Sequence, residues 1–240
     1  MAVADRSKDG PPRGRAAATE QRRREILAAA LSAFLDKGYA ATTLADIRER
    51  SGASTGSIYH LFASKEEIAG AVYVDGTAGY QDGFTSVVTC ASGPEQAVRG
   101  SVEYHLRWVE ENRPLARFLA TTRQTELLPG VRDRLREMNR AFFRALHAGF
   151  APWVEAGLVR PLPWELFVAV VAGPAHEHAR AWLGGRSRIA PREAAPVLAA
   201  AAWAAVRGES NHAAAAPADS SHVAASGHSA LPTRSRKKPK

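Results

Sequence analysis

Apolar residues recur by three and four along almost the whole 240-residue chain, and no stretch alternates as a half-buried strand does. Ile26, Leu27, Ala30, Leu31, Phe34 and Leu35 form one stripe. Gly38 then ends the helix, as a left-handed C-terminal residue does. Two short helices follow. Thr43-Leu-Ala-Asp46 spells a capping box that opens the first, and Ser51-Gly52 breaks it. Ser54 caps the second, which runs through Ile58, Tyr59, Leu61 and Phe62. Ser64-Lys-Glu-Glu67 is a further capping box and opens a fourth helix with Ile68, Val72 and Tyr73.

Proline marks most later starts, since it suits the first helical turn. Gly93-Pro94 precedes a stripe of Val98, Val102, Leu106 and Val109, and Pro114 begins a short sixth helix through Phe118 and Leu119. Pro129-Gly130 precedes a long helix whose Val131, Leu135, Met138, Phe142, Gly149 and Trp153 line one side and Phe143, Leu146 and Phe150 its flank. A helix apolar on two sides belongs in the middle of a bundle. Pro163 opens an eighth helix ending at Gly184-Gly185, with a kink expected at Gly173-Pro174, and Pro191 opens an Ala-rich ninth. The fold class is all-α with about nine helices. From about Gly208 onward, Ala, Ser, His and Pro offer little to bury, so disorder is expected there.

Charge adds a polyanion to the picture. The net charge is +8; residues 1–24 carry seven basic against three acidic groups, and the last seven residues carry five basic groups. Basic ends on a nearly neutral body favour nucleic acid, or else serve only to solubilise the tails. The one cysteine, Cys90, excludes an internal disulfide and fits a reducing compartment. No long uncharged apolar run suggests a membrane span, and Met1 to Ala18 lacks the apolar centre of a secretory signal. A cytoplasmic location is expected.

Thr42 to Glu66, TTLADIRERSGASTGSIYHLFASKE, carries the function. A helix-turn-helix needs a bracing helix, a tight turn and a second helix whose outer face enters the major groove. Leu44 and Ile47 anchor the bracing helix, Gly52 makes the turn, and Ile58, Leu61 and Phe62 hold the reading helix to the body. Ser54, Thr55, Gly56, Ser57, Tyr59 and His60 are left facing outward, small or polar as close approach to DNA demands. Gly56 would admit the backbone near the bases, Tyr59 and His60 can donate to phosphates, and Lys65 stands at a helix N-terminus, where amide dipoles and an ammonium attract phosphate.

The segment resembles the TetR family of transcription regulators. The match runs from Thr19 to about Tyr80 and includes Ile26-Leu27, Lys37-Gly38-Tyr39, Thr42-Thr43, Ile47, Ser51-Gly52-Ala53-Ser54, Gly56-Ser57-Ile58-Tyr59, Phe62 and Ser64-Lys65-Glu66. The resemblance implies a homodimer, a three-helix DNA-binding head and a helical body with a ligand pocket. It implies phosphate contacts from Thr43, Tyr59, His60 and Lys65, with Ser54, Thr55, Gly56 and Ser57 nearest the bases. Arg48 stands where the family usually has a small Ala, and is expected to reach toward the DNA backbone or along the surface of the head.

Other signals are weaker. Gly52-Ala53-Ser54-Thr55-Gly56 matches G-x-S-x-G, but a hydrolase elbow needs a strand before its Ser, and here a helix precedes it. His176 and His178 point to nearly opposite helix faces and cannot share a metal ion; His178 joins an apolar stripe, as a satisfied interface histidine. No metal and no cofactor is expected. Tyr104, Trp108, Phe118, Phe142 and Phe150 line a ligand pocket or fill core, with His105, Gln124 and His147 as candidate polar contacts. Pairing the eighth and ninth helices with their copies would bury Phe167, Val171, His178, Trp182, Leu198 and Trp203; the alternative is that they close the protomer's own core.

The expected organisation is a disordered basic arm over 1–18, a DNA-binding domain over 19–80, a ligand-binding and dimerisation domain over 81–208 and a disordered basic tail over 209–240. The expected function is sequence-specific binding of a palindromic operator in double-stranded DNA by a homodimer, as a repressor answering an unidentified small molecule, and not catalysis. An effector held between the fifth and eighth helices would shift the fourth, which joins body to head. The rival is a small-molecule carrier or enzyme of the same fold without DNA readout. No nucleophile-base set or phosphate loop in the sequence favours it.

Overall fold

In the computed structural model, residues 13–122 and 127–209 are described. Among them lie nine helices: α1 (Arg13–Lys37), α2 (Leu44–Ser51), α3 (Thr55–Leu61), α4 (Lys65–Thr89), α5 (Pro94–Glu111), α6 (Arg113–Thr121), α7 (Pro129–Glu155), α8 (Trp164–Leu183) and α9 (Pro191–Val206). No strand forms among the described residues; an isolated bridge pairs Val159 with Arg207 and clips the α7–α8 turn to the end of α9. None of the described helices is long and apolar enough to cross a membrane.

The local signals explain the boundaries. Gly38 and Gly52 sit at φ 84° and 63°, left-handed values that end α1 and α2. Thr43 and Asp46 close a reciprocal capping box, with the Thr43 Oγ1 accepting from the Asp46 amide at 3.2 Å and the Asp46 carboxylate accepting from the Thr43 amide at 2.8 Å. Ser64 accepts from the Glu67 amide at 3.2 Å, while the Glu67 carboxylate reaches past the cap to the Ala63 amide. One expectation is corrected: residues 13–18 are the first turns of α1, because Ala16–Ala18 and Thr19 sustain the helix N-terminal to its apolar stripe. The other arm residues, and the tail beyond Glu209, lie outside the described residues.

Two cores divide the molecule. The first gathers Ile26, Ala30 and Phe34 of α1, Ile47 of α2, Ile58 of α3, Phe62, and Ile68 and Val72 of α4. The second gathers Val98, Val102 and Leu106 of α5, Leu146 and Phe150 of α7, Phe167 and Val171 of α8, and Ala199 and Trp203 of α9. The 25-residue α4 runs through both, so the expected boundary at residue 80 falls inside one continuous helix. Three of its glycines allow close approach: a Cβ on Gly70 would lie 2.6 Å from Val131 of α7, one on Gly76 would lie 2.8 Å from Leu115 of α6, and one on Gly83 would overlap the Tyr104 hydroxyl of α5. Phe118 of α6 belongs to the first core. It stacks on Phe34 at 5.7 Å and meets Tyr73 edge-on at 6.2 Å, so α6 is packed onto the head.

Candidate nucleic-acid interface and effector cavity

The face of the α2–α3 unit turned away from the first core carries the expected DNA contacts. Ile47, Ala53, Ile58 and Phe62 are buried, which fixes α3 against α1 and α4. Ser54, Thr55, Gly56, Tyr59 and His60 are then exposed together, with Ser57 half-buried among them. Ser54 caps α3 by accepting from the Ser57 amide at 3.1 Å. Tyr59 is a large aromatic left 58 % exposed. A Cβ added to Gly56 would meet no atom of the protein within 4 Å, so packing within the chain does not require glycine there.

Charged neighbours brace this face. Arg48 runs along the head's surface and its guanidinium donates to Thr55 Oγ1 at 3.3 Å, tying α2 to the first turn of α3. Arg50 donates to Asp36 at 2.7 Å and to Ser32 at 2.9 Å. The Lys37 ammonium and the Thr43 amide and hydroxyl hold the half-buried Asp46 carboxyl well below the usual carboxylate range. Thr43 is exposed at the start of α2. Lys65 differs from a free phosphate-seeking arm. Its ammonium donates to the carbonyls of Tyr39 at 3.1 Å and Ala40 at 3.2 Å and lies 4.9 Å from the Tyr39 ring centroid. It thereby stitches the start of α4 to the α1–α2 turn, and one of its three N–H groups remains to face outward. Thr42 is a residue that spacing did not single out: it is buried, and its hydroxyl donates to the carbonyls of Gly38 at 2.8 Å and Ala33 at 3.1 Å, closing that turn.

Behind the head, α4, α7 and α8 enclose a cavity of about 310 Å³. Its walls are mainly aromatic and aliphatic, including Tyr80, Phe84, Phe142, Phe150, Trp164 and Phe167. Gln81 donates to Asn139 at 2.7 Å across the α4–α7 seam beside it. A second hollow of about 440 Å³ opens between α5, α6 and α8, with Trp108, His105, Leu119, His176 and Leu183 in its wall. A further hollow of about 780 Å³ is a broad open groove at the α4–α5 turn, away from the head and from this aromatic cluster.

The expected pocket residues therefore separate. Phe142 and Phe150 line the aromatic cavity and Trp108 the second hollow. Tyr104 lines neither; its hydroxyl donates to the Tyr80 carbonyl at 3.1 Å and seals the α4–α5 seam. Phe118 is core between α6 and the head, since it is buried against Phe34 and Tyr73. His147 is exposed and rests on Trp164 at 5.2 Å, outside the cavity wall, and Gln124 lies outside the described residues. The α4 contribution, Tyr73, Thr77, Tyr80 and Phe84, was missed; its signal is their spacing by four, three and four along one side of α4.

The expected dimer residues also need correction. Phe167, Val171 and Trp203 are 5, 7 and 6 % exposed, because they close the second core of the protomer itself. Trp182 and Leu198 are half-buried against that core, and Arg113 lies 4.5 Å from the Trp182 ring centroid. His178 is half-buried, but its Nε2 is sealed from solvent without a partner, so it is not a satisfied histidine. The apolar groups turned outward are their neighbours, Leu166 on α8 and Val197 on α9, the latter 71 % exposed. Cys90 is free and exposed. No group of three metal-ligating side chains occurs among the described residues.

Comparisons with known proteins match this geometry. Residues 26–72 fit the model of bacterial regulatory proteins of the tetR family. The HTH-type transcriptional repressor KstR2 of Mycobacterium tuberculosis is 29 % identical over 151 residues, covering 58 % of this chain and 70 % of that protein. The TetR-family regulator PfmR of Thermus thermophilus superposes with a TM-score of 0.63 at 26 % identity, over 74 % of this chain and 96 % of its own. The regulator FadR of Bacillus subtilis, solved in complex with stearoyl-CoA, shares the fold with a TM-score of 0.63 at 14 % identity, over 75 % of this chain and 96 % of its own. Residues 26–72 thus carry the head of the tetR family of bacterial regulatory proteins, the helical body behind it has the fold of TetR-family regulators, and the two together make the chain similar to DNA-binding transcription regulators.

Proposed function

We propose that the protein is a repressor that binds a palindromic operator as a homodimer and releases it when an apolar small molecule enters the body. The exposed row Ser54, Thr55, Gly56, Tyr59 and His60 on a buried scaffold carries the DNA reading. Small and polar side chains on one helix end permit base-edge contact, while Tyr59, His60 and Thr43 donate to phosphates. Arg48 and Lys65 hold the reading helix and the head in register, each with N–H groups left for the DNA backbone. Two heads carried on a two-fold dimer would meet half-sites about 10 bp apart, or a multiple of that. The outward faces of α8 and α9, with Leu166 and Val197, are the surface we assign to the partner copy.

The aromatic cavity supports the effector reading. Its wall includes Tyr73, which also touches Phe118, and Phe118 stacks on Phe34 of α1. Tyr73 further donates to the Leu119 carbonyl at 3.4 Å. An occupant that shifts α4 would therefore act on the α6 wedge and on the Lys65 stitch, and so on the angle between the heads. It need only favour the displaced arrangement: a ten-fold difference in affinity is about 1.4 kcal/mol. That one relative is named a repressor and another was solved with stearoyl-CoA agrees with an apolar effector.

A gel shift on DNA from upstream of the chain's own gene, with unlabelled competitor and a salt titration, tests this. A competitor-resistant complex containing two protomers and released by an apolar acyl compound is expected. Binding that ignores sequence and vanishes with salt would reduce the activity to its basic segments.

A further inference from the structure

We propose that the two hollows are halves of one channel, and that His105, at the throat between them, donates its Nε2–H to a neutral carbonyl oxygen near the middle of an elongated apolar effector. This deepens the effector reading above and rests on it.

Tyr80 and His176 stand in the walls of both hollows. Between these hollows lies a slit of about 10 Å³ bounded by Phe84, Ser101, His105, Val171 and His176. That is at the lower limit of what a water molecule needs, so only a few side chains separate the two spaces. The partition is polar at one point. The Tyr80 hydroxyl lies 3.0 Å from His105 Nδ1, and the His176 ring meets His105 at 4.4 Å between centroids.

The hydrogen bond assigns the proton. With the Tyr80 phenol donating to Nδ1 only the ring N–H is left unpaired, whereas Nδ1–H donating to the phenol would leave both the phenolic proton and Nε2 unpaired, so the first arrangement is favoured. The ring proton of His105 then sits on Nε2, which is sealed from solvent and has no partner. A buried donor left unpaired is costly and rare. Burial, with a smaller contribution from His176, holds the His105 pKa at about 3, so its ring is neutral.

A neutral donor among aromatic walls selects an uncharged acceptor: a ketone, ester or thioester carbonyl. A carboxylate would be stripped of water there without a facing cation. Among the residues lining these hollows the cation is Arg180, which is exposed and paired with Glu177 at 3.2 Å. On either side of the throat the walls are apolar, with Phe142 and Phe150 on one side and Trp108 and Leu183 on the other. The effector thus carries an apolar arm on each side of its carbonyl, and the exposed His176 ring is the part that must turn aside to admit it.

The test uses the full chain with two probes, 7-tridecanone and tridecane, read by quenching of tryptophan fluorescence, since Trp108 and Trp164 line the two hollows. In His105→Phe, the ratio of ketone to hydrocarbon affinity should fall about ten-fold relative to wild type, while tridecane binding persists. His105→Phe also leaves the Tyr80 hydroxyl without its acceptor. The double variant Tyr80→Phe/His105→Phe removes both groups and should show the same loss. Infrared spectra should show the bound ketone's carbonyl stretch at lower frequency in wild type than in either variant. An unchanged ratio in both variants, an unshifted carbonyl band in wild type, or no binding of the ketone overturns the proposal. Operator binding by the same preparation separates the two levels: if DNA is shifted but His105 is indifferent, only this inference falls.

Discussion

Gly56→Ala should raise the stability of the protein and lower its affinity for DNA. Gly56 is the second residue of α3 and is exposed, and a Cβ built on it meets nothing within 4 Å. Alanine is favoured over glycine by about 0.8–1.0 kcal/mol in a helix interior. Near the start of a seven-residue helix about half of that is expected, roughly 0.5 kcal/mol. For a chain of this size that raises Tm by about 1–2 °C. On DNA the same methyl would occupy the space through which the backbone approaches the bases. One wrong contact in a specific site costs about 1–3 kcal/mol, or roughly ten- to hundred-fold in Kd. Thermal unfolding and fluorescence anisotropy on an operator fragment measure the two effects separately. An unchanged Kd with an unchanged or higher Tm would refute the placement of the α3 N-terminus against DNA. A lower Tm would refute the reading of the space around Gly56.

Phe118→Ala should destabilise the fold by about 3–5 kcal/mol, because it empties the stack on Phe34 and Tyr73; chemical denaturation measures it, and a loss below about 1 kcal/mol would remove Phe118 from the head–body junction. Val197→Arg should give a monomer in analytical ultracentrifugation with an unchanged circular dichroism spectrum, whereas a persistent dimer would move the interface off α9. The neutral, half-buried His105 predicts a pH dependence. Its folded pKa of about 3 lies below the ordinary value of 6.5, so the unfolded chain binds the proton first. The stabilisation is complete above pH 6.5 and declines as pH falls from there toward 3, by up to about 1.4 kcal/mol per unit. His105→Phe should flatten the profile between pH 6.5 and 5.

The head was legible because its signals are local. Thr43 and Asp46 are three residues apart and cap each other, and Gly52 takes the left-handed conformation that the turn requires. The burial of Ile47, Ile58 and Phe62 then decides which side chains of α3 face out. Lys65 was harder, because its acceptors are the carbonyls of Tyr39 and Ala40, about 25 positions earlier, and carbonyls have no sequence signature. In the body, periodicity finds helices but not their partners. Phe118, Phe142 and Phe150 look alike as aromatic members of apolar stripes. One packs on α1 and two face a cavity, a difference set by the approach of α6 to α4 at Gly76. The same ambiguity put Phe167, Val171 and Trp203 on the partner surface, when α8 and α9 turn their bulkiest side chains inward and leave Leu166 and Val197 outside. Tyr80 and His105 belong to different helices, and their pairing depended on the α4–α5 contact.

Selection from a random DNA library, followed by methylation interference on the enriched sequence, tests the central claim most directly. One palindromic family of sites should emerge in which methylation of guanine N7 in both half-sites blocks binding, with Tyr59→Ala weakening binding to all sequences alike. A library that yields no enriched sequence, or interference confined to the minor groove, would contradict it.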